Sequence, residues 1–121
     1  CQRDICARGH AIECRITAED PKRGFLPCTG TVTELHIPGG NGVRVDTMLY
    51  RGCEILPYYD SMLAKVIVRG RDRAEAISRM RSALGELVIE GVTTNLDFQY
   101  ELIGSAEFAT GDAEAINARL R

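Results

Sequence analysis

Residues 62–87, MLAKVIVRGRDRAEAISRMRSALGEL, change character at one point, and that change decides the fold. The first part, 62–69, is dense in Val, Ile and Leu. It reads as a β-strand covered on much of both faces. After Gly70 the period lengthens. Asp72 is a good helix N-cap, and Glu75 three residues on completes a capping-box pattern. Ala74, Ile77, Met80, Leu84 and Leu87 then recur at spacings of three and four, one apolar stripe of a helix spanning about four turns. Glu75 and Arg79 form a favourable pair one turn apart. A strand running directly into a helix, with strand-like segments before it and helical ones after, predicts an α+β domain.

Working towards the N-terminus, residues 10–16 alternate, with Ile12, Cys14 and Ile16 on one face. Residues 18–27 hold two prolines and a glycine and are expected to be a connection. Residues 31–37 are rich in β-branched side chains and read as a strand. Asn41-Gly42 then precedes the alternating run 43–46, a strong hairpin signal because both residues tolerate positive φ. Residues 51–59 read as a second turn region. Working towards the C-terminus, 88–90 predict a short strand. From 94 the pattern is helical, with Leu96, Tyr100 and Ile103 on one face and breaks at Gly104 and at Gly111-Asp112. The expectation is an antiparallel sheet of about five to seven short strands in the first two-thirds, covered by helices near 72–87, 94–104 and 112–120.

Composition bounds the function. The chain has 121 residues, 15 basic and 17 acidic, for a net charge of −2. It is long enough to bury about two-thirds of its unfolded surface in one domain, taken as 1–121. Neither the net charge nor any like-charge block suggests a nucleic-acid binder. No apolar run suits a membrane span. The basic residues are 13 Arg against two Lys, fixed positive forks more than general bases. Five cysteines, at 1, 6, 14, 28 and 53, lack any Cys-x-x-Cys pair, and His10 and His36 complete no zinc spacing. They read as reduced thiols of a cytoplasmic protein, Cys14 as a small core residue, and no metal site is expected. The first residue is Cys, not Met, and the chain is expected to be a piece of a longer one.

Three places carry chemistry. Residues 39–42 are glycine-rich, but a strand follows where a phosphate cradle needs a helix, so a plain turn is favoured. In Val43-Arg44-Val45-Asp46, alternation puts Arg44 and Asp46 on one face. Arg44 is thus a guanidinium positioned to hold an oxyanion, or, more plainly, half of a surface ion pair. Tyr58, Tyr59, Asp60 and Lys65 can form an acid–base group, or Asp60 can close a turn on its own backbone. Lys65 in an apolar strand calls for a partner, for which Asp60 is a candidate by proximity.

Four stretches in order, GHAIECRITAEDP (9–21), PGGNGVRVDT (38–47), PYYDSMLAKVIVRGRDRAEAISRMRSAL (57–84) and VIEGVTTNLDF (88–98), closely resemble the C-terminal subdomain of biotin carboxylase. The resemblance runs from about residue 5 to about 107. It implies a parent enzyme in which ATP and bicarbonate give carboxyphosphate, and the carboxyl passes to the ureido nitrogen of biotin on a carrier protein. It also implies a homodimer and a carboxyltransferase partner, as in acetyl-CoA carboxylase of fatty acid biosynthesis. Nucleotide and magnesium are implied to bind an ATP-grasp part, whose glycine-rich lid and acidic strand have no counterpart here, so no cofactor is expected on this segment and it is expected to be inactive alone. Arg44 falls on the family's catalytic, biotin-facing arginine in Gly-Val-Arg. Asp46 is read as its support, and Tyr58, Tyr59, Asp60 and Lys65 as structural. Residues 112–116 depart from the family pattern, so no adenine contact is carried over to this end. The rival expectation is a free-standing binding or scaffold module that keeps the fold without catalysis.

Overall fold

A computed structural model describes residues 2–58 and 60–120. In chain order the strands are β1 (His10–Thr17), β2 (Glu19–Asp20), β3 (Leu26–Pro27), β4 (Gly30–Thr31), β5 (Glu34–His36), β6 (Val43–Thr47), β7 (Glu54–Ile55) and β8 (Met62–Gly70). Then come α1 (Arg73–Glu86), β9 (Val88–Glu90), α2 (Leu96–Ile103), α3 (Ala106–Thr110) and α4 (Ala113–Arg119). The main sheet has the order β1-β8-β6, and β2 with β3, β4 with β7 and β5 with β9 form two-stranded ladders, all antiparallel. With four helices beside them, the domain is α+β, as the change of period at Gly70 predicts.

The register explains the core. Ile12, Val68 and Val43 form one row across the sheet, and Cys14, Val66 and Val45 the next. These rows face α1, which buries Ala76, Met80, Ala83 and Leu84 against them. Ile16, Val66, Val68 and Met80 retain no exposed surface. Each such side chain contributes about 1.5–3 kcal/mol by leaving water. Gly70 lets α1 start directly off β8, since a Cβ there would stand 2.6 Å from the amide nitrogen of Ala76. The Asp72 carboxylate caps α1 by accepting from Glu75 N at 2.8 Å. Glu75 reaches back one residue further than a capping box does, to Arg71 N at 3.2 Å.

Several expectations need correction. Asn41-Gly42 does not close a hairpin. Residues 34–36 pair with β9, whereas β6 takes the free edge of β8. The turn signal reports a local reversal, and the apolar face of Val43 and Val45 decides which neighbour is taken. The strand expected over 31–37 is split, because Val32 N bonds Cys53 O and Thr33 N bonds Glu90 O, so the chain changes partner in mid-segment. The connection 18–27 carries the β2–β3 ladder around a 3₁₀ turn at Pro21–Arg23. Strand β8 is covered on much of both faces, as expected, but unequally: Ala64, Val66 and Val68 are buried on one, while on the other Leu63 is buried, Lys65 and Ile67 are half-buried and Arg69 is exposed. Ala74 is exposed, and the stripe of α1 runs instead through Ala76, Met80, Ala83, Leu84 and Leu87. Residues between the two breaks form α3. It is anchored by Arg73, which lies 4.6 Å over the Phe108 ring, donates to Phe108 O, and meets His10 Nε2 at 3.2 Å.

Candidate functional site

The helices cover one face of the β1-β8-β6 sheet, and of the candidate residues Arg44, Asp46 and Lys65 stand on the other. Alternation along the strands places Glu13, Ile67 and Arg44 in one row there, and Arg15, Lys65 and Asp46 in the next. Charge on this face is balanced rather than massed. Arg15 Nε meets Glu13 Oε1 at 2.9 Å, and Arg44 Nε meets Asp46 Oδ1 at 2.9 Å. The Arg44 side chain is 73% exposed, so its Nη groups face solvent while Nε is held. Hydrogen bonding to Asp46, reinforced by its charge, keeps the guanidinium above its ordinary pKa. The pair is therefore a permanently charged fork held at one corner, with two donor nitrogens presented outward.

Arg44 is the second residue of β6, and its placement depends on how that strand starts. Gly42 adopts φ +73°, a region that disfavours any side chain. Its carbonyl accepts from Arg69 N at 2.9 Å, and Val43 N bonds Gly40 O at 3.2 Å. At the other end, Thr47 Oγ1 donates to Leu63 O at 2.8 Å and accepts from Leu49 N at 3.1 Å. Arg44 thus sits on a strand pinned at both ends, not at the mouth of a hairpin.

The other candidates do not converge on Arg44. Lys65 lies between Arg15 and Asp46 in the register, and among the described residues no ion pair joins it to Asp60. Asp60 accepts from Met62 N at 3.0 Å and closes its own turn. Tyr58 is exposed. Tyr59 lies outside the described residues. Among the described residues, no group of three or more His, Cys, Asp or Glu side chains gathers in a way that can hold a metal ion. Burial pushes the Cys14 thiol up to about 12, with Glu13 adding to the effect. This is an inert core group, not a nucleophile.

Two residues that shape the site carry no local signature. Arg79 is legible in the sequence only as the helical partner of Glu75. It also donates to Arg69 O beside the start of β6. Asn95 is 6% exposed, and its amide accepts from Thr17 N at 2.9 Å and donates to Arg15 O at 3.1 Å, sealing the outer edge of β1. Both contacts join residues distant in the chain, and spacing alone does not reveal them.

The chain has well-characterised relatives. A family model described as "Biotin carboxylase C-terminal domain" matches residues 13–116. The biotin carboxylase of Pseudomonas aeruginosa is 53% identical over 110 residues, 91% of this chain and 24% of that protein. Biotin carboxylase 1 of Bacillus subtilis is 50% identical over 111 residues, 92% of this chain and 25% of that protein. Among solved structures, the biotin carboxylase domain of the Hydrogenobacter thermophilus 2-oxoglutarate carboxylase superimposes with a TM-score of 0.88 at 45% identity, over 90% of this chain and 24% of that one. It was solved as a dimer with MgADP, ADP and bicarbonate. Biotin carboxylase from Campylobacter jejuni, in complex with β-γ-ATP, gives 0.86 at 41% identity over 92% of this chain and 25% of that one. This chain thus spans about a quarter of the length of these relatives.

Proposed function

Since the chain belongs to the biotin carboxylase C-terminal domain family, we propose that it works as the C-terminal part of a biotin carboxylase. That enzyme uses ATP and bicarbonate to carboxylate biotin on a carrier protein, and hands the product to a carboxyltransferase component. The observation that carries the reading is Arg44, a charged fork on a pinned strand, held at Nε and with its side chain largely exposed. When the ureido nitrogen of biotin loses its proton, negative charge spreads to the ureido oxygen. Arg44 meets that charge with a donor already in place and already ionised. It cannot be the base, since a guanidinium does not deprotonate at working pH. Asp46 holds Nε and so directs the outer edge of the fork; Tyr58, Tyr59, Asp60 and Lys65 are assigned structural roles.

Among the described residues no three His, Cys, Asp or Glu side chains gather to hold a magnesium ion, and no step is assigned to a nucleotide–magnesium site on this chain. The relatives solved with MgADP and with β-γ-ATP are about four times as long as this chain, which supports placing that chemistry on the rest of a longer polypeptide. Exposed Met48, Tyr50 and Leu56, which line one cleft with Ile55, support the same division of labour, because large apolar side chains gathered on one surface mark contact sites. A homodimer is proposed on the strength of the dimeric Hydrogenobacter relative.

Assayed alone with ATP, bicarbonate and biotin, the chain is expected to release no phosphate above background; bicarbonate-dependent release would overturn its assignment as a part. In the longer enzyme, Arg44→Ala is expected to lower carboxylation of free biotin about 100-fold, the scale of losing one oxyanion donor. An unchanged rate would mean that Arg44 has no part in the chemistry and would favour a binding module of the same fold.

A further inference from the structure

We propose that Arg79 of α1 is a positioning residue for Arg44; this rests on the reading of Arg44 as the guanidinium that faces biotin. Among the described residues strand β6 pairs with β8 alone, and Arg44 is only one residue from its start. Strand ends with one partner open first. Immediately upstream Gly39 and Gly40 are exposed, and Pro38 before them is buried. The hydrogen bond from Arg69 N to Gly42 O, 2.9 Å, is the last rung tying this end to β8.

Arg79 braces that rung. Its guanidinium leaves α1 on the covered side of the sheet and wraps the end of β6. Nη1 donates to the carbonyl of Arg69, the residue whose N–H makes the rung. The same Nη1 occupies the space a side chain on Gly42 would take, 2.6 Å from an ideal Cβ, with Arg79 Cδ at 3.3 Å. Glycine at 42 thus has two causes, its φ of +73° and the backbone carbonyl oxygen of Arg69, 2.9 Å from an ideal Cβ, on which Arg79 also sits. Arg79 is itself held: Nη2 lies 3.6 Å from Glu75 Oε1, and its side chain is 33% exposed. Glu75 is fixed in turn by Arg71, whose Nε reaches Oε2 at 2.7 Å. Glu75 stays ionised because Arg71 holds its pKa below the usual carboxylate range.

The chain of contacts from Glu75 to Arg79, to the Gly42–Arg69 rung and so to β6 sets where Arg44 stands relative to the covered core. A displacement of about 1 Å at a reacting group can cost about 100-fold in rate, so even partial fraying of this end is felt at the chemistry.

The test is a double-mutant cycle in the longer enzyme, read as kcat and KM for free biotin. Arg79→Met keeps the aliphatic stem and removes the brace. It is expected to lower kcat about tenfold with KM changed by less than about twofold, and Arg79→Lys, which can still donate to Arg69 O, is expected to recover part of the loss. In an Arg44→Ala background, Arg79→Met is expected to cost nothing more. A normal kcat in Arg79→Met, or a full second tenfold loss on top of Arg44→Ala, overturns the positioning role. If Arg44→Ala itself has no effect, the reading of Arg44 fails instead. Should Arg79→Met not fold, Arg79→Gln is taken through the same cycle: a kcat equal to that of the unsubstituted enzyme while Arg44 is present, with unchanged exchange of the Val43 and Val45 amides, overturns the proposal.

Discussion

Arg44 and Cys14 both belong to the main sheet, one on each face, and alternation separates their fates. Cys14 faces the core and Arg44 faces solvent. Both placements are legible in residues 10–16 and 43–46, because a period of two needs no knowledge of the partner strand. What alternation does not reveal is support from another element, and Arg79 is such a case. The burial of Cys14 has a consequence for stability. Its thiol is pushed from 9.0 up to about 12 in the fold, first by loss of solvent and then by Glu13. The folded state therefore holds this proton more tightly than the unfolded state does. The resulting stabilisation is complete below about pH 9 and is lost as pH rises towards 12. A Cys14→Ala variant is expected to show a shallower fall of unfolding free energy between those limits than the parent chain, measured by denaturant titration. Equal slopes would show that the thiol is not the group responsible.

At the scale of elements, strong local signals are legible in the residues and partner choice is not. The cap at Asp72, the helix after it and the strand before it stand where the residues place them. The Asn41-Gly42 turn exists, but β5 and β6 belong to different ladders, since long-range apolar rows outrank a favourable turn. The split at Val32–Thr33 has the same cause, one extended segment serving two neighbours. Asn95 shows how a sheet edge is closed without another strand. Its amide side chain completes the hydrogen bonding of Thr17 N and Arg15 O, with Gln99 Nε2 also reaching Arg15 O at 3.2 Å. Asn95→Ala leaves the Thr17 amide unpaired in a largely buried place, and the expected cost is about 1–3 kcal/mol. In urea the midpoint falls with the slope unchanged; no shift would mean that water replaces the amide without loss.

At the scale of the molecule, the core is complete in the chain itself. Three rows of sheet residues, α1 and α2 with Ile103 near its end enclose it, and α3 is tied on by Arg73. The open face of the sheet and the exposed apolar side chains around Met48 and Tyr50 are left to meet something else. A core enclosed by the chain's own elements, with Arg44 on the uncovered face, suits the proposed part that completes a site built elsewhere. Carboxylation of biotin divides into activation of bicarbonate by ATP and transfer to the ureido nitrogen, and Arg44 is assigned to the second. The decisive quantity is therefore the ratio of biotin carboxylated to ATP cleaved, measured in the longer enzyme with and without Arg44→Ala. The expected result is ATP cleavage that continues with bicarbonate while carboxylation falls about 100-fold, so the ratio collapses. A ratio that stays at the parent value, whether both rates hold or both fall together, would contradict the role given to Arg44.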